Sequence, residues 1–377
     1  MVNNTPLANT QLVDERLKWV RLSLINGVGA QTFCALLKRF GHPEAVLAAS
    51  IADLKSVVSE KIALEIKSDF DESVLAATRD WLVQPNNFII TLADEHYPQA
   101  LLEINDPPPF LYAKGNISLL NQPGIAIVGS RSASVQGEKN AHAFAFELAQ
   151  SGLTIVSGMA LGIDGAAHSG ALAATGATIA VIGTGLDIVY PAKHRDLAHD
   201  IAKHGLIISE FPLGTPSIAK NFPKRNRIIS GLSLGCLVVE ANLQSGSQIT
   251  ARLAGEQGRE VFAIPGSIHS PTAKGCHQLI KQGAKLVDCI QDILEELHWE
   301  NATSISMGQM STDQKTEADA VESHPILNHI GYDPTALEAI VQLSGLPVHE
   351  VTSTLMLLEL EGKIASVVGG KYQKIGD

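Results

Sequence analysis

The sequence predicts an α/β fold, a doubly wound and mostly parallel sheet. Three observations carry this reading. Short apolar strands recur between residues 124 and 297, most of them ending at Gly, Ser or Glu. Helix-length segments lie between them. Each strand is a continuous apolar run and does not alternate with polar residues, which is the pattern of a parallel sheet covered on both faces. Right-handed crossovers between such strands wind the chain to both sides of the sheet.

Taken in order, residues 1–9 are expected to fray. Leu12–Leu24 reads as an amphipathic helix, Gly27-Val28-Gly29 as a tight connection, and Thr32–Phe40 as a second helix. Such a pair either offers backbone N–H groups to one DNA phosphate, as a helix-hairpin-helix does, or only packs. A second hairpin would fall at Val57-Val58-Ser59, which holds no glycine. Residues 10–80 form a small helical domain on either reading.

Phe88–Leu92 reads as a strand. Asp106-Pro107-Pro108-Pro109 excludes helix, because each proline removes a donor and restricts its predecessor. With Tyr97-Pro98 and Leu111-Tyr112-Ala113-Lys114-Gly115 it reads as an extended connector laid against the α/β domain, its aromatics packing.

The core spans residues 88–297. Its strands are Gly124–Val128, Leu153–Ser157, Ala177–Ile182, Leu206–Ser209, Gly235–Glu240, Glu260–Ile264 and Ala284–Val287. Helices are expected near Gly137–Gln150, Gly165–Thr175, His194–His204, Ile228–Ser233, Gln248–Gln257 and Cys276–Gln282. Residues 298–324 are polar and apolar-poor, and read as a linker. Residues 325–377 recover periodicity: helices at Pro334–Leu343 and His349–Gly362, then a hairpin of Ile364–Val368 and Tyr372–Ile375 around Gly369-Gly370. That order is a winged-helix pattern. Its second helix carries glutamates and no Lys or Arg until Lys363. The segment holds six acids against three lysines, net −3, so protein contact, or weak DNA contact through Lys371 and Lys374, suits it better than a tight grip on phosphate.

Composition narrows the class. At 377 residues, two or three domains are the prior. No apolar run reaches the ~18 residues of a membrane helix, and the N-terminus lacks a signal-peptide pattern. Cys34, Cys236, Cys276 and Cys289 lie far apart with no Cys-x-x-Cys pair, which argues against a metal site or disulfide framework and fits a reducing cytoplasm. A net charge of −11 argues against indiscriminate coating of nucleic acid but allows a local basic stripe.

In a doubly wound sheet, ligands bind beyond the strand C-termini, at the switch point. Those positions here hold Gly129-Ser130-Arg131, Ser157–Asp164, Gly183-Thr184-Gly185 with Tyr190–Arg195, Lys220–Arg227, and Glu240–Ser247. Glycines let N–H groups approach an anion, and Lys and Arg on the same edge complete a phosphate-binding surface. Lys220–Arg227 holds four cations and no acid, with Phe222 interleaved. Single-stranded DNA wants cations along its backbone and an aromatic for a base. Arg131 either contacts DNA or holds its loop by a salt bridge; Phe222 either stacks or is buried. Gly158, Gly162 and Asp164 read as loop geometry, Asp164 as a helix cap. Glu240 is either a structural partner of a loop cation or a catalytic acid.

The motifs together resemble the bacterial DNA-processing protein A (DprA/Smf) family. The resemblance rests on Asp106-Pro107-Pro108-Pro109, Leu111–Gly115, Val128–Arg131, Ser157–Asp164, Gly183–Asp187, Tyr190-Pro191, Phe222–Ser233 and Ser245–Ala251, in this order. It implies an extended Rossmann-like core in a cytosolic homodimer that binds single-stranded DNA. It implies protection of incoming DNA in natural transformation and loading of the RecA recombinase. No cofactor, metal or catalytic residue is implied. Family binding positions fall on Gly129, Ser130, Arg131, Lys193, Phe222, Lys224, Arg225, Asn226 and Arg227. The apolar edge at Ile264, Ile268, Leu279 and Ile280 is a candidate dimer patch. The competing reading is a nucleotide phosphoribohydrolase of the same superfamily, which shares the Gly-Ser-Arg loop; the Pro-Gly-Gly-x-Gly-Thr segment of those enzymes is replaced by Asn242–Ser247. A nucleotide-sensing module is the third. Gly-x-Gly-x-x-Gly is absent after the first strand, and no acidic residue lies ~20 positions on where a ribose would need it, which argues against a nicotinamide dehydrogenase.

Overall fold

The computed structural model describes residues 6–299, 325–367 and 369–375. Most of the expected linker, from residue 300 to 324, lies outside them, as do the first five residues of the expected frayed end.

Nine strands form the main sheet: β1 (Asn87–Thr91), β2 (Phe110–Gly115), β3 (Gly124–Val128), β4 (Thr154–Ser157), β5 (Thr178–Val181), β6 (Leu206–Ser209), β7 (Gly235–Val238), β8 (Glu260–Ala263) and β9 (Lys285–Leu286). Their spatial order is β1-β2-β6-β5-β4-β3-β7-β8-β9. From β6 to β9 every neighbouring pair is parallel. Chain order reverses at β3, which lies between β4 and β7, so the switch-point crevice opens beyond the C-termini of β3 and β7. Residues of β3 to β7 are fully buried, as their mostly apolar content requires.

The last part of the segment expected as an extended connector, Phe110–Gly115, is a strand. β2 pairs antiparallel with both β1 and β6, in register from Asn87↔Lys114 and Tyr112↔Ser209. Tyr97-Pro98 and Asp106–Pro109 remain outside the strand; the prolines lack the N–H donors a ladder needs. The expected aromatic packing holds: Tyr112 and Phe110 are buried, and the Tyr97 hydroxyl donates to the Pro108 carbonyl at 2.7 Å.

The N-terminal helices run Pro6–Ser23, Ala30–Phe40, Pro43–Ala48, Ile51–Leu54, Glu60–Lys67 and Ala76–Leu82. Helix 6–23 therefore starts inside the stretch expected to fray. A second hairpin does form around Val57-Val58-Ser59 without glycine; Ser59 caps helix 60–67 by accepting from the Ile62 N–H. Trp19 stacks on Phe33 at 5.6 Å within this domain. The same core takes in Ile89, Phe110 and Tyr112 from one face of β1 and β2. Ile90, Leu111 and Ala113 point to the other face, into the α/β core.

Trp299 packs with the helices on the far side of the sheet, and its indole N–H donates to the Ser151 carbonyl at 2.9 Å. The C-terminal unit contains β10 (Thr335–Ala336), helices Leu337–Ser344 and Val348–Leu360, β11 (Ile364–Val367) and β12 (Lys371–Lys374), with strand order β10-β12-β11. Its first helix begins at Leu337, after the expected Pro334, because Thr335 and Ala336 pair with β12. Gly369 and Gly370 make the turn at positive φ. Two residues of the candidate dimer patch are core: Ile264 and Leu279 are buried, while Ile268 is exposed.

Candidate nucleic-acid interface

The sequence leads one to expect a loop at residues 220–227, beside the sheet edge. Asn221–Gly231 is instead one helix. Pro223 falls in its first turn, where the missing N–H would have no helical partner anyway. The helix points its N-terminal end at the switch-point crevice. Five elements meet there: the loop after β3, the loop after β4, the loop after β5 with Tyr190, this helix, and the N-terminus of the Gly246–Glu256 helix.

They enclose a cleft of about 680 Å³. Gly129, Ser130, Arg131, Phe222, Arg225 and Asn226 line it, so six of the nine sequence-predicted positions converge. Lys193, Lys224 and Arg227 are not among its lining residues. Lys193 is exposed in the Ala192–His194 turn. Lys224 lies over the Phe211 ring at 5.3 Å and 3.4 Å from Glu210 Oε2. Arg227 is buried; its Nε is 2.9 Å from Asp106 Oδ2 and its Nη2 donates to Glu210 Oε2. Burial raises the Glu210 carboxyl, against the pull of Arg227 and Lys224. The Arg227 network therefore pins the helix between the Pro-rich segment and the end of β6, with its charge already compensated.

Arg225 occupies the floor. Only 4% of it is exposed. Its Nη1 donates to the Val181 carbonyl at 2.6 Å, and its guanidinium faces the buried Asp164 carboxyl. Burial lowers its pKa to about 10, with Asp164 opposing the shift, so it stays a cation at neutral pH. Gly158 makes room for it: a Cβ there would lie 1.9 Å from Nη1. Asp164 is not the expected cap of its helix, which starts after Gly162. It accepts from the Ala160 N–H at 3.2 Å, bracing the loop before the helix, and burial raises its pKa against the pull of Arg225.

Arg131 and Phe222 form the mouth. The Arg131 guanidinium sits 5.3 Å over the half-buried Phe222 ring, and no ion pair holds it among the described residues. This is cation–π range. Tyr190 meets the same ring at 5.7 Å and 40°. In the sequence it stands only as part of a motif; its exposure beside Phe222 is a product of tertiary packing. The Glu240 partner is no loop cation. Its carboxylate accepts from the Ser134 N–H at 2.9 Å and the Ser134 hydroxyl at 2.6 Å, at the N-terminus of helix Val135–Gln150.

A family model described as DNA recombination-mediator protein A matches residues 88–298. A DprA winged helix domain matches residues 310–370, and a DprA-like N-terminal HHH domain residues 13–52. Protein Smf of Escherichia coli is 41% identical over 370 residues, covering 95% of this chain and 96% of that protein. DNA processing protein DprA of Streptococcus pneumoniae is 43% identical over 254 residues, 67% of this chain and 88% of that one. The X-ray structure of DprA from Streptococcus pneumoniae superimposes with TM-score 0.66 at 38% identity, over 75% of this chain and 97% of that one. DNA processing protein A from Helicobacter pylori, whose structure concerns its single-stranded DNA binding mode, matches with TM-score 0.51 at 34% identity, over 56% of this chain and 95% of that one. Matched by the family model across its α/β core and by a 41% identical relative along nearly its whole length, the chain belongs to the DNA recombination-mediator protein A (DprA/Smf) family.

Proposed function

We propose that this chain binds single-stranded DNA along the C-terminal edge of its parallel sheet, as a binding protein and not an enzyme. In this role it protects incoming strands and loads RecA during transformation and recombination, acting as a cytoplasmic homodimer. One observation carries the reading: an exposed arginine, Arg131, lies on an aromatic ring at the mouth of a cleft with a buried cation on its floor. Cations that follow a backbone and rings that receive bases are what an unpaired strand needs. The single-stranded DNA binding of the Helicobacter pylori relative supports the same ligand class. Engagement of both Glu240 oxygens by Ser134 favours a structural carboxylate over the acid of a phosphoribohydrolase.

Salt-titrated binding of oligo-dT tests the reading. Arg131→Ala is expected to weaken binding whatever the base, because phosphates carry no sequence. The slope of log K against log salt should become shallower by about 0.7 for each phosphate that the side chain no longer neutralises. A well-folded variant that binds as wild type with the same slope would place the DNA elsewhere. Release of ribose 5-phosphate from AMP by wild type would favour the enzyme. Failure to stimulate RecA strand exchange on coated DNA, or a single 40 kDa species in sedimentation at micromolar concentration, would remove the loading and dimer parts.

A further inference from the structure

We propose that Tyr190 is the ring on which a base of the bound strand stacks, while Phe222 acts beneath it as a support. The proposal rests on the reading of the cleft as a single-stranded DNA site.

Phe222 is the aromatic that sequence pattern alone selects for stacking. Its surroundings in the fold argue otherwise. The Arg131 guanidinium stands over the ring at 5.3 Å, and that of Arg225 approaches it at 6.0 Å. The backbone of Gly183 closes another side, so near that a Cβ at that position would be 3.1 Å from Phe222 Cδ1. Tyr190 covers a further side. A base reaching Phe222 would have to displace Arg131, the cation that should hold the phosphate.

Tyr190 has the opposite setting. It lines the same cleft yet is 44% exposed. Among the described aromatics, only Tyr332, in the C-terminal unit, is also exposed to that degree. The Tyr190 hydroxyl makes no hydrogen bond among the described residues, so no polar contact explains the ring's outward position. Its contact with Phe222 has the spacing of a stable aromatic pair, which fixes the ring without covering it. A rigid, exposed π-face next to an unpaired arginine is the arrangement that takes one nucleotide, base on the ring and phosphate on the cation. Stacking of this kind is blind to base identity, because every base has a π-face.

The test uses the full chain with labelled oligo-dT and an abasic oligonucleotide of equal length. Tyr190→Ala is expected to weaken oligo-dT binding by roughly five- to 150-fold, the range for losing one stacked base. Abasic binding and the salt slope should stay as in wild type. Tyr190→Phe should retain full affinity, and Tyr190→Leu, which keeps apolar bulk against Phe222 without a π-face, should behave like Ala. Equal loss on both oligonucleotides would mean that Tyr190 only supports the cleft, and would overturn the proposal. Wild-type oligo-dT affinity in Tyr190→Ala, with Arg131→Ala weakened, would leave the DNA site standing and remove Tyr190 from it. If Arg131→Ala is also unaffected, the DNA site itself is wrong and this proposal falls with it.

Discussion

Gly158→Ala is the sharpest probe of how the cleft is built. The added methyl would lie 1.9 Å from Arg225 Nη1 and 2.6 Å from Cζ. The guanidinium cannot stay where it is. Retreating means giving up the 2.6 Å bond to the Val181 carbonyl, a charge-assisted contact worth about 1.5–3 kcal/mol. It also moves the cation away from the buried Asp164 carboxyl, whose pKa that cation holds down. We therefore expect a destabilisation of about 1.5–3 kcal/mol, read as a lower urea midpoint of the core transition with an unchanged m-value. A pH dependence follows. Burial already raises the Asp164 pKa, and only Arg225 and local N–H groups hold it down. Without Arg225 it rises further. A raised acid pKa favours the native state below it and loses that advantage as pH rises through it. The variant should therefore be closer to wild type at lower pH than at higher pH. Adding Asp164→Asn, which removes the stranded charge, should cost far less than the sum of the single changes. A Gly158→Ala protein within about 0.5 kcal/mol of wild type, the range of an inconsequential substitution, would show that Arg225 is not locked as described.

Two further outcomes are expected. His168 is buried, its pKa lowered to about 3 by burial and by His194 and Arg225; Thr178 donates to the Ile155 carbonyl, so His168 Nδ1–H donates to Thr178 at 2.7 Å. The unfolded chain takes up a proton below about pH 6.5 and the native one does not, so stability should fall as pH drops from 6.5 towards 3, by up to about 1.4 kcal/mol per pH unit from this group. His168→Asn should flatten that part of the curve, and parallel wild-type and variant curves would refute it. Removing the C-terminal unit with a cut after Trp299 should leave single-strand affinity within about tenfold, ~1.4 kcal/mol, because helix 348–360 carries no Lys or Arg. A hundredfold loss would contradict this; the cut must spare Trp299, since that residue belongs to the core packing.

The parallel strands are legible in the sequence because burial on both faces leaves an unbroken apolar run that few other structures produce. The convergence of Gly129, Ser130 and Arg131 with the later basic segment is legible too, since switch-point topology brings those loops together. What stays hidden is non-local. Asn-Phe-Pro-Lys-Arg-Asn-Arg has no apolar periodicity, and its helix is held by Val181, Glu210 and Asp106, 44, 17 and 121 positions away. A cation in a sequence does not say whether it faces solvent or a buried carboxylate. Arg225 and Arg227 look alike in the string, yet one lines the cleft and the other is neutralised behind it. β2 reads as a connector because its partners β1 and β6 pair with it in a direction that no local pattern encodes.

The β1–β2 ribbon works as a party wall. Ile89, Phe110 and Tyr112 belong to the room of the N-terminal helices, while Ile90, Leu111 and Ala113 belong to the α/β room behind. Neither room can be emptied without stripping a face of the wall they share. A chain shortened to the α/β part would bare Phe110, Tyr112 and Ile89 as an apolar patch beside the sheet edge, and such a patch invites aggregation. A chain without the helices would keep this wall from aggregating only with polar side chains at positions 89, 110 and 112. Here, where they stay apolar, heat or denaturant that opens the helical room also loosens the edge of the sheet.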